Sequence, residues 1–587
     1  MCGINAVYSF TKISDCDRCT VERLNTAMRY RGPDDSGIWS DDRVCLGAVR
    51  LSIIGLGNGH QPITNEAGNV ILVCNGEIYN YLDLKEQLIQ QGHRFSTSTD
   101  IEVLLHLYEQ HGRDFVRHIK GMFAFCLYDA STELLIIGRD RLGEKPLYYS
   151  QQFGKFIVSS EVKAIAVFGY QEPTIDQDVL TEVSFSSFPQ DPQRTLFNEI
   201  KRVIPGECLV VSSNRLERSR YWRGRRVSTF SGTEDMAAIE VRRLLENAVK
   251  RTLISDVPVA VMLSGGIDSS VIAAIAKKES PNLEAITVGY EGDSKEDERH
   301  LVRRFAEHIG IRLHEIELSK QDFATAFEEY VDFLDEPIWD PASIMQWQIF
   351  KRAKGLGFRV LLSGQASDEM FFGYRQHLEA ARHFDFLRSC SQYIPFGRRG
   401  IKLFLKRVIK TPRKLIDDLL NNGHGEFTND ALAGIPSTMA YENPRQVFWS
   451  YQHSDPDAVE ARFNYLREIY LPSNGFLQID KLSMAHSVEV RSPFTDVDIV
   501  DFILSLPRHM LTDSCGAKGL LKRAVADLIP DFIMSEPKRG FQPSADLLQF
   551  ITQRYARSEE SWPGMTKVVC RRILENIADL RERFSDK

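Results

Sequence analysis

The chain contains 587 residues, a length that favours two to four domains over a single core. Hydrophobic residues make up 43% of it and charged residues 26%, a composition typical of globular proteins in water. The formal net charge of -8 gives no general attraction to nucleic acid. No apolar run approaches the ~20 residues that a membrane span needs.

The cysteines and the first residues indicate a reducing compartment. Ten cysteines in so long a chain do not make a disulfide scaffold, and the start of the chain lacks the basic and apolar regions of a secretory signal. Cys16 and Cys19 form a CxxC pair without a second Cys/His pair at zinc spacing, so we expect them on a surface loop. These features predict a cytoplasmic protein.

Residues 1–210 are predicted to be rich in β-strands. Nearly continuous apolar and β-branched stretches predict strands over 4–10, 45–54, 70–74, 123–128, 134–139 and 155–159. Helical spacing of apolar residues predicts helices over 20–29, 82–91 and 100–111. This order indicates helices packed on antiparallel sheets.

A polar, basic segment over residues 211–235 is predicted to be a linker, and the pattern changes after it. Strands are predicted over 257–263, 283–288, 312–317 and 358–362, and helices over 269–278 and 297–309. Such βα alternation predicts a parallel sheet with helices on both faces. After Tyr374 the chain is predicted to be largely helical.

The second residue, Cys2, is a candidate nucleophile. If Met1 is removed, Cys2 carries its own α-amine, which titrates at roughly 7.7–8.0 in model peptides and can accept the thiol proton. A cysteine near a start codon more often has no such role. The remaining motifs of the chain decide between these interpretations.

Residues 259–270 carry the strongest local motif, in which a buried strand ends in Ser-Gly-Gly and leads into a helix. Glycines let the backbone approach an anion closely, and the helix N-terminus offers unpaired N–H groups. Asp268 offers a hard oxygen ligand for Mg²⁺ held by phosphates. The lysine-containing Walker motif of P-loop proteins does not occur. The loop therefore predicts pyrophosphate binding and adenylation, and the alternative is a simple Gly-Gly turn between a strand and a helix.

A second acidic segment, residues 361–369, follows another predicted strand. Open α/β sheets bind ligands at the carboxyl ends of their strands. Asp368 is therefore a candidate second Mg²⁺ ligand, although a Ser/Asp helix cap would explain the same residues.

Over nearly its whole length the chain resembles the glutamine-dependent asparagine synthetase family, whose first half is a class II glutamine amidotransferase domain. The resemblance implies an α+β, Ntn-hydrolase-type αββα sandwich over residues 1–210. It implies an α/β PP-loop domain with a helical C-terminal part over residues 236–587. The matching motifs are residues 2–4, 31–34, 50–53, 75–80, 139–143, 264–270, 363–369, 480–494, 517–522 and 538–541.

The resemblance implies that Cys2 attacks the side-chain amide of glutamine, with its own amine as general base. Asn75 and the Gly76 N–H would form the oxyanion hole. The residues implied to bind the rest of glutamine are Arg50 at its carboxylate, Asp100 at its ammonium, and Asn75 and Glu77.

In the second domain the resemblance implies ATP and Mg²⁺ as cofactors. Asp268 and Asp368 would hold Mg²⁺, and Lys518 would neutralise the phosphates during adenylation. Glu489 and Arg491 would lie near the acceptor, with a structural ion pair as the alternative. The residues implied to bind ATP are Leu263, Ser264, Gly265, Gly266, Asp268, Ser269, Ser270, Val288, Ser363 and Gly364.

The implied reaction releases NH₃ in one domain and consumes it at an acyl-adenylate in the other, which requires a dry passage between them. Aspartate is the expected acceptor. However, Gln365 stands where the family usually has an acid, and Ala366 and Phe372 replace other usual residues. These changes favour the alternative of another carboxylate, such as a uronic acid sugar used in surface-polysaccharide synthesis.

The sequence alone leaves alternatives for residues 395–415, for the oligomeric state and for the activity. Residues 395–415 interleave basic and apolar residues, which fits a packed surface helix or, alternatively, a site for anionic lipid or a large anionic substrate. The oligomeric state is open, a homodimer included. A chain that keeps the fold without ligation is a third hypothesis, against which Asp268, Asp368 and Lys518 speak.

Overall fold

Residues 2–220 form two antiparallel sheets, each with six strands. The computed structural model describes residues 2–213, 215–292, 297–374, 458–512, 517–536, 541–555 and 562–585. The sheet orders are β10-β8-β9-β1-β3-β2 and β12-β11-β7-β6-β5-β4. The strands are β1 (Cys2–Ser9), β2 (Asp35–Ser40), β3 (Val44–Arg50), β4 (Ile63–Thr64), β5 (Val70–Ile78), β6 (Gly121–Asp129), β7 (Leu134–Arg139), β8 (Tyr148–Gln152), β9 (Lys155–Ser159), β10 (Lys201–Arg202), β11 (Glu207–Ser212) and β12 (Arg215–Arg220).

The two sheets pack face to face, and helices cover their outer faces. Ile4 and Ala6 of β1 meet Ile71 and Val73 of β5 in the core between the sheets. Alternate residues of these strands point outward, where they pack under helices, as the two-residue period of a strand requires. The helices are α1 (Asp15–Ala27), α2 (Tyr81–Gln90), α3 (Val103–His111), α4 (Val162–Phe168) and α5 (Gln177–Ser186), with a 3₁₀ turn over Gly112–His118.

Two expectations for this region are wrong. β11 and β12 form a hairpin on the edge of the second sheet, so residues 211–220 belong to the first domain and the linker begins after them. Alternating polar residues gave β12 the appearance of a linker. Cys16 and Cys19 lie in helix α1, which begins after a capping box at Ser14, and both are exposed on it.

The second domain is built on a parallel sheet of five strands in the order β15-β14-β13-β16-β17. The helical prediction after Tyr374 missed the last of these strands, which pairs with β16. Val, Ile and Leu dominate the strands because both faces are buried. The strands are β13 (Val259–Met262), β14 (Glu284–Tyr290), β15 (Arg312–Leu318), β16 (Val360–Leu362) and β17 (Glu489–Arg491).

The strand order reverses between β13 and β16, and this is where open parallel sheets bind ligands. Both acidic segments singled out in the sequence follow these two strands. The helices are α6 (Glu234–Thr252), α7 (Ile267–Glu279), α8 (Arg299–Ile309), α9 (Lys320–Phe333), α10 (Ala342–Gly355), α11 (Ser367–Met370), α12 (Ala458–Tyr465), α13 (Phe476–Ala485), α14 (Val497–Ser505), α15 (His509–Thr512), α16 (Gly519–Ala524), α17 (Asp531–Met534), α18 (Ala545–Tyr555) and α19 (Trp562–Ser585). A π-helical segment over Leu466–Gly475 joins α12 to α13, and a 3₁₀ turn covers Pro493–Thr495.

The last helix joins the two domains. α19 packs on α4 and α5 of the first domain and on α9 of the second. Val569, Ile573 and Ile577 are buried along this contact. Within the described residues, no helix is both long and apolar enough to cross a membrane. The basic segment 395–415 lies outside the described residues.

A buried ionic network also crosses the domain boundary. Arg31 donates to Glu161 (Nη1–Oε1 2.5 Å) and to Asp480 (Nη2–Oδ2 2.8 Å). Lys481 pairs with Glu161 and, at 2.9 Å, with Asp335. Burial disfavours the ionised carboxylate, yet the cations of Lys481 and Arg31 hold the pKa of Glu161 well below its usual range. Removal of one partner would leave an uncompensated buried charge at the domain boundary.

Candidate active sites

Cys2 lies at the start of β1, where it is buried. Burial raises the pKa of its thiol, so at neutral pH the sulfur carries its proton and needs a base. The Cys2 backbone nitrogen donates to Asn75 Oδ1 (3.0 Å). Gln61 Nε2 donates weakly to Cys2 Sγ (3.4 Å), and the Gln61 amide is itself fixed by the backbone of Cys74. Sequence reasoning missed Gln61, because only its contact across the fold distinguishes it.

Asn75 lies on β5 of the opposite sheet and faces Cys2. Its Nδ2 is buried and has no hydrogen-bond partner among the described residues. A buried donor left unpaired costs about 1–3 kcal/mol, so natural proteins seldom keep one without a use. The next residue must be glycine, because a Cβ on Gly76 would lie 2.1 Å from the Met122 carbonyl oxygen.

Arg50 and Asp100 lie on the same side of the first domain as Cys2. Arg50 pairs with Cys2 across β1 and β3, and its Nη2 donates to the carbonyls of Ile54 and Gly55 (2.9 and 2.8 Å). Asp100 Oδ2 accepts the Ile78 N–H (2.7 Å). Burial raises the pKa of Asp100 to about 6. Arg50 is therefore not the solvated surface residue that its sequence context alone predicts, and Asp100 is not a helix cap.

Glu77 contacts the second domain. Its Oε2 lies 3.1 Å from Arg491 Nη2, and Arg491 Nε donates to Glu489 (2.6 Å). Burial, together with the nearby Glu489 carboxylate, raises the pKa of Glu77 well above its usual value. The alternative given for Glu489 and Arg491, a structural ion pair, is therefore confirmed, and this pair contacts Glu77 of β5; a position near the acceptor stays a prediction.

The loop after β13 has the form of an anion cradle at the start of α7. The Ser264 N–H donates to Ser269 Oγ (2.9 Å), which folds the loop back on the helix. Gly266 is the N-cap of α7, and Gly265 N–H donates to Glu298 (3.2 Å). Ser270 Oγ donates to the Gly266 carbonyl (2.9 Å). These bonds fix the Ser-Gly-Gly loop at the N-terminus of α7, the end of a helix that attracts anions.

The loop after β16 packs against this cradle. A Cβ on Gly364 would lie 2.9 Å from the backbone of Asp268 and Ser269, so only glycine permits the approach. Ser367 Oγ donates to Asp268 Oδ1 (2.7 Å). The other residues implied to bind ATP lie at the carboxyl ends of strands: Leu263 after β13, Val288 near the end of β14, and Ser363 after β16.

Lys518 links the two acidic loops. Its Nζ lies 2.5 Å from Asp268 Oδ1 and 2.6 Å from Asp368 Oδ1, and the residue is 3% exposed. Its backbone is left-handed (φ 59°) where α16 begins, so the loop structure, not a helix, aims it at the carboxylates. Such an arrangement suits a cation and a charge-neutralising amine acting on a polyphosphate.

The first domain carries a buried thiol on the first strand of a two-sheet sandwich, and the second carries a Ser-Gly-Gly loop on a parallel sheet. Together these features define the class of ATP-dependent glutamine amidotransferases. Family comparison agrees on both halves. Residues 1–222 match the pattern described as a glutamine amidotransferase domain, and residues 240–576 match asparagine synthase. The chain belongs to the glutamine-hydrolysing asparagine synthetase family, and the resemblance read from its motifs is confirmed.

Curated relatives cover most of the chain. An asparagine synthetase (glutamine-hydrolyzing) 3 of Bacillus subtilis is 31% identical over 92% of this chain and 87% of its own length. A putative asparagine synthetase of Mycobacterium bovis is 32% identical, covering 89% and 83%. Amidase chyE of Penicillium rubens is 28% identical, covering 92% and 88%.

Proposed function

We propose that this enzyme transfers NH₃ from glutamine, released in an Ntn-hydrolase-type domain, to a carboxylate that ATP has activated in a PP-loop domain. The observation that carries the proposal is the pairing of Cys2 with an Asn75 amide whose donor is free among the described residues. Such a donor would stabilise the negative charge that develops on an amide oxygen under attack.

In the first domain, removal of Met1 would convert the Cys2 nitrogen into an α-amine, still oriented by Asn75 Oδ1. This amine would take the proton from the buried thiol, which then attacks the glutamine amide carbon. Asn75 Nδ2 and the Gly76 N–H would stabilise the oxyanion. Arg50 and Asp100 would hold the carboxylate and the ammonium of glutamine.

In the second domain, Asp268 and Asp368 are the residues that would hold a metal ion. Their carboxylates lie close together, because both contact the Lys518 amine. Two carboxylates so close, at the mouth of a phosphate cradle, suit Mg²⁺. Bound there with ATP, Mg²⁺ would neutralise charge on the phosphates. Lys518 would stabilise the charge that develops on pyrophosphate as the acyl-adenylate forms.

Aspartate is the proposed acceptor, as the names of the synthetase relatives suggest. A second candidate is another carboxylate such as a sugar acid, and Gln365 favours it. Gln365 follows Gly364 in the loop against the cradle, and its amide packs close to Gly475 of the π-helical segment. A neutral amide there cannot act as a base or repel an anionic substrate as an acid would.

The test measures pyrophosphate release with glutamine, ATP, Mg²⁺ and a panel of acids. Release only with aspartate supports asparagine synthesis, release with a different acid supports the second candidate, and no release with any acid contradicts ligation. Gln365→Glu should shift the response toward aspartate if the amide selects the acceptor. The Cys2→Ala variant should lose glutamine use and keep synthesis from added ammonium; loss of both would contradict the role of the thiol.

A further inference from the structure

Three metal-ligating side chains converge on the outer face of the first domain, away from the cysteine. His93 Nδ1 and His106 Nδ1 each lie 3.2 Å from the same oxygen, Glu109 Oε2. All three ligand atoms lie within 4.8 Å of one another. Nothing in the proposed reaction uses these residues.

Local structure explains the convergence. His106 and Glu109 are three residues apart on α3, so they share one face of the helix. His93 follows the end of α2, and its ring lies 5.1 Å from that of His106. The Phe95 ring packs 4.4 Å from the His106 ring and helps to fix its plane.

Two of the three ligands, Glu109 and His93, have an outer hydrogen-bond partner, whereas His106 Nε2 has none among the described residues and lies near a carboxylate beyond hydrogen-bond distance. Asn65 Nδ2 donates to the other oxygen of Glu109 (2.6 Å). The Glu102 carboxylate lies 3.9 Å from His106 Nε2, and Gln110 Oε1 lies 3.5 Å from His93 Nε2. Acceptors outside the rings favour N–H groups outside and lone pairs inside. This is the arrangement of carboxylate–histidine–metal sites.

Each ring nitrogen can hold a proton between itself and the carboxylate, as in the hydrogen bond of His106 Nδ1 to Glu109 Oε2 (3.2 Å), and a metal cation can replace these protons and bind all three atoms. Zinc–nitrogen and zinc–oxygen bonds of about 2.0–2.1 Å at tetrahedral angles place neighbouring ligand atoms about 3.3 Å apart. The two 3.2 Å separations match this spacing. The His93 and Glu109 side chains are 16% and 26% exposed, so an ion can enter and keep a water as its fourth ligand.

We propose that His93, His106 and Glu109 bind a zinc ion. The ion would brace the segment between α2 and α3, which carries Asp100. Any effect on glutamine affinity rests on the proposed role of Asp100, whereas zinc binding itself does not. A failed zinc site would show in the zinc measurement, and a failed role of Asp100 would show only in the glutamine affinity.

The test measures zinc stoichiometry by equilibrium dialysis on the full chain carrying Cys2→Ala, Cys16→Ser and Cys19→Ser, so that these thiols take no metal. Excess magnesium is present to occupy the Asp268–Asp368 pair. We expect one equivalent of zinc, and cobalt in its place should give the visible bands of a tetrahedral site. His93→Ala, at a partly exposed position, should weaken binding by at least about tenfold, and Glu102→Gln by about 10–100-fold.

His111→Ala is the matched control, because His111 stacks on His118 at 4.0 Å in the same domain without a carboxylate ligand between them. It should leave binding unchanged. Binding below one equivalent in the parent chain would overturn the proposal, as would equal zinc affinity in the His93→Ala and His111→Ala chains. Retained secondary structure in His93→Ala separates a lost ligand from a misfolded domain.

Discussion

The Nδ2 group of Asn75, which has no hydrogen-bond partner in the part of the chain that the structure describes, leads to the sharpest prediction. Asn75→Ala removes the donor that we assign to the oxyanion hole and also the acceptor of the Cys2 nitrogen. Loss of one such donor typically costs about 2.7–4 kcal/mol of transition-state stabilisation, or about 10²–10³ in kcat. We therefore expect kcat for glutamine hydrolysis to fall by that factor while KM changes little.

Stability should not follow activity in this variant. Losing the bond to the Cys2 nitrogen costs about 0.5–1.5 kcal/mol, but the wild type also bears about 1–3 kcal/mol for a buried unpaired donor. These effects oppose one another, so we expect the free energy of unfolding to change by less than about 2 kcal/mol.

The assay compares glutamine hydrolysis with synthesis from added ammonium, alongside denaturant unfolding. Ammonium-dependent synthesis should be unchanged, because it bypasses the first domain. Asn25→Ala removes another buried amide of the same domain and controls for general loss of packing. Glutaminase kcat close to wild type in Asn75→Ala, or a fall that Asn25→Ala matches, would refute the reasoning.

Three further predictions concern charge. Because burial raises the pKa of Asp100 to about 6, its ionised form is lost as pH falls through that value. Glutamine binding to the Cys2→Ala variant, measured by calorimetry, should therefore weaken by up to about tenfold per pH unit below 6. Lys518→Gln should lower pyrophosphate release by about 10²–10³ and leave glutamine hydrolysis intact, whereas Lys522→Gln, in the helix that follows Lys518, should change neither much. Glu161→Gln leaves Arg31 and Lys481 short of a buried carboxylate and should destabilise the protein by about 3–5 kcal/mol in thermal or denaturant unfolding.

Each of these has an outcome that contradicts it. A pH profile of glutamine affinity that persists in Asp100→Asn would assign the titration to another group. Equal loss of pyrophosphate release in Lys518→Gln and Lys522→Gln would indicate a general disturbance of α16. The control for Glu161→Gln is Asp42→Asn, which breaks an exposed pair with Lys12 and should change the free energy of unfolding little. Equal destabilisation by the two substitutions would show that the buried network does not stabilise the protein more than a surface ion pair does.

Local patterns predicted six of the twelve described strands of the first domain and four of the five described strands of the parallel sheet, and they did not predict the long-range pairing. The strands at 134–139 and 155–159 and the βα alternation after residue 257 are confirmed, because buried apolar runs mark them in the sequence. β12 and β17 were missed because both are polar and owe their strand form to neighbours distant in the chain. Strand propensity depends on such context more than helix propensity does.

The site shows the same division. The motifs single out Cys2, Asn75 and the loop after β13 because each motif is a short run of residues adjacent in the chain, and the roles of these residues stay predictions. The contact of Gln61 with the Cys2 sulfur and the bridge from Glu77 to Arg491 join residues far apart in the chain. Residue spacing in the sequence does not predict such contacts, because they form only when the sheets and the domains pack together.

The helix that joins the domains has a consequence for how the protein is made. The faces of α4 and α5 under α19 are translated long before the helix that covers them, since α5 ends at residue 186 and α19 begins at residue 562. At about 5–20 residues per second this leaves an apolar surface open for tens of seconds. The nascent first domain should therefore bind chaperones until α19 has been synthesised.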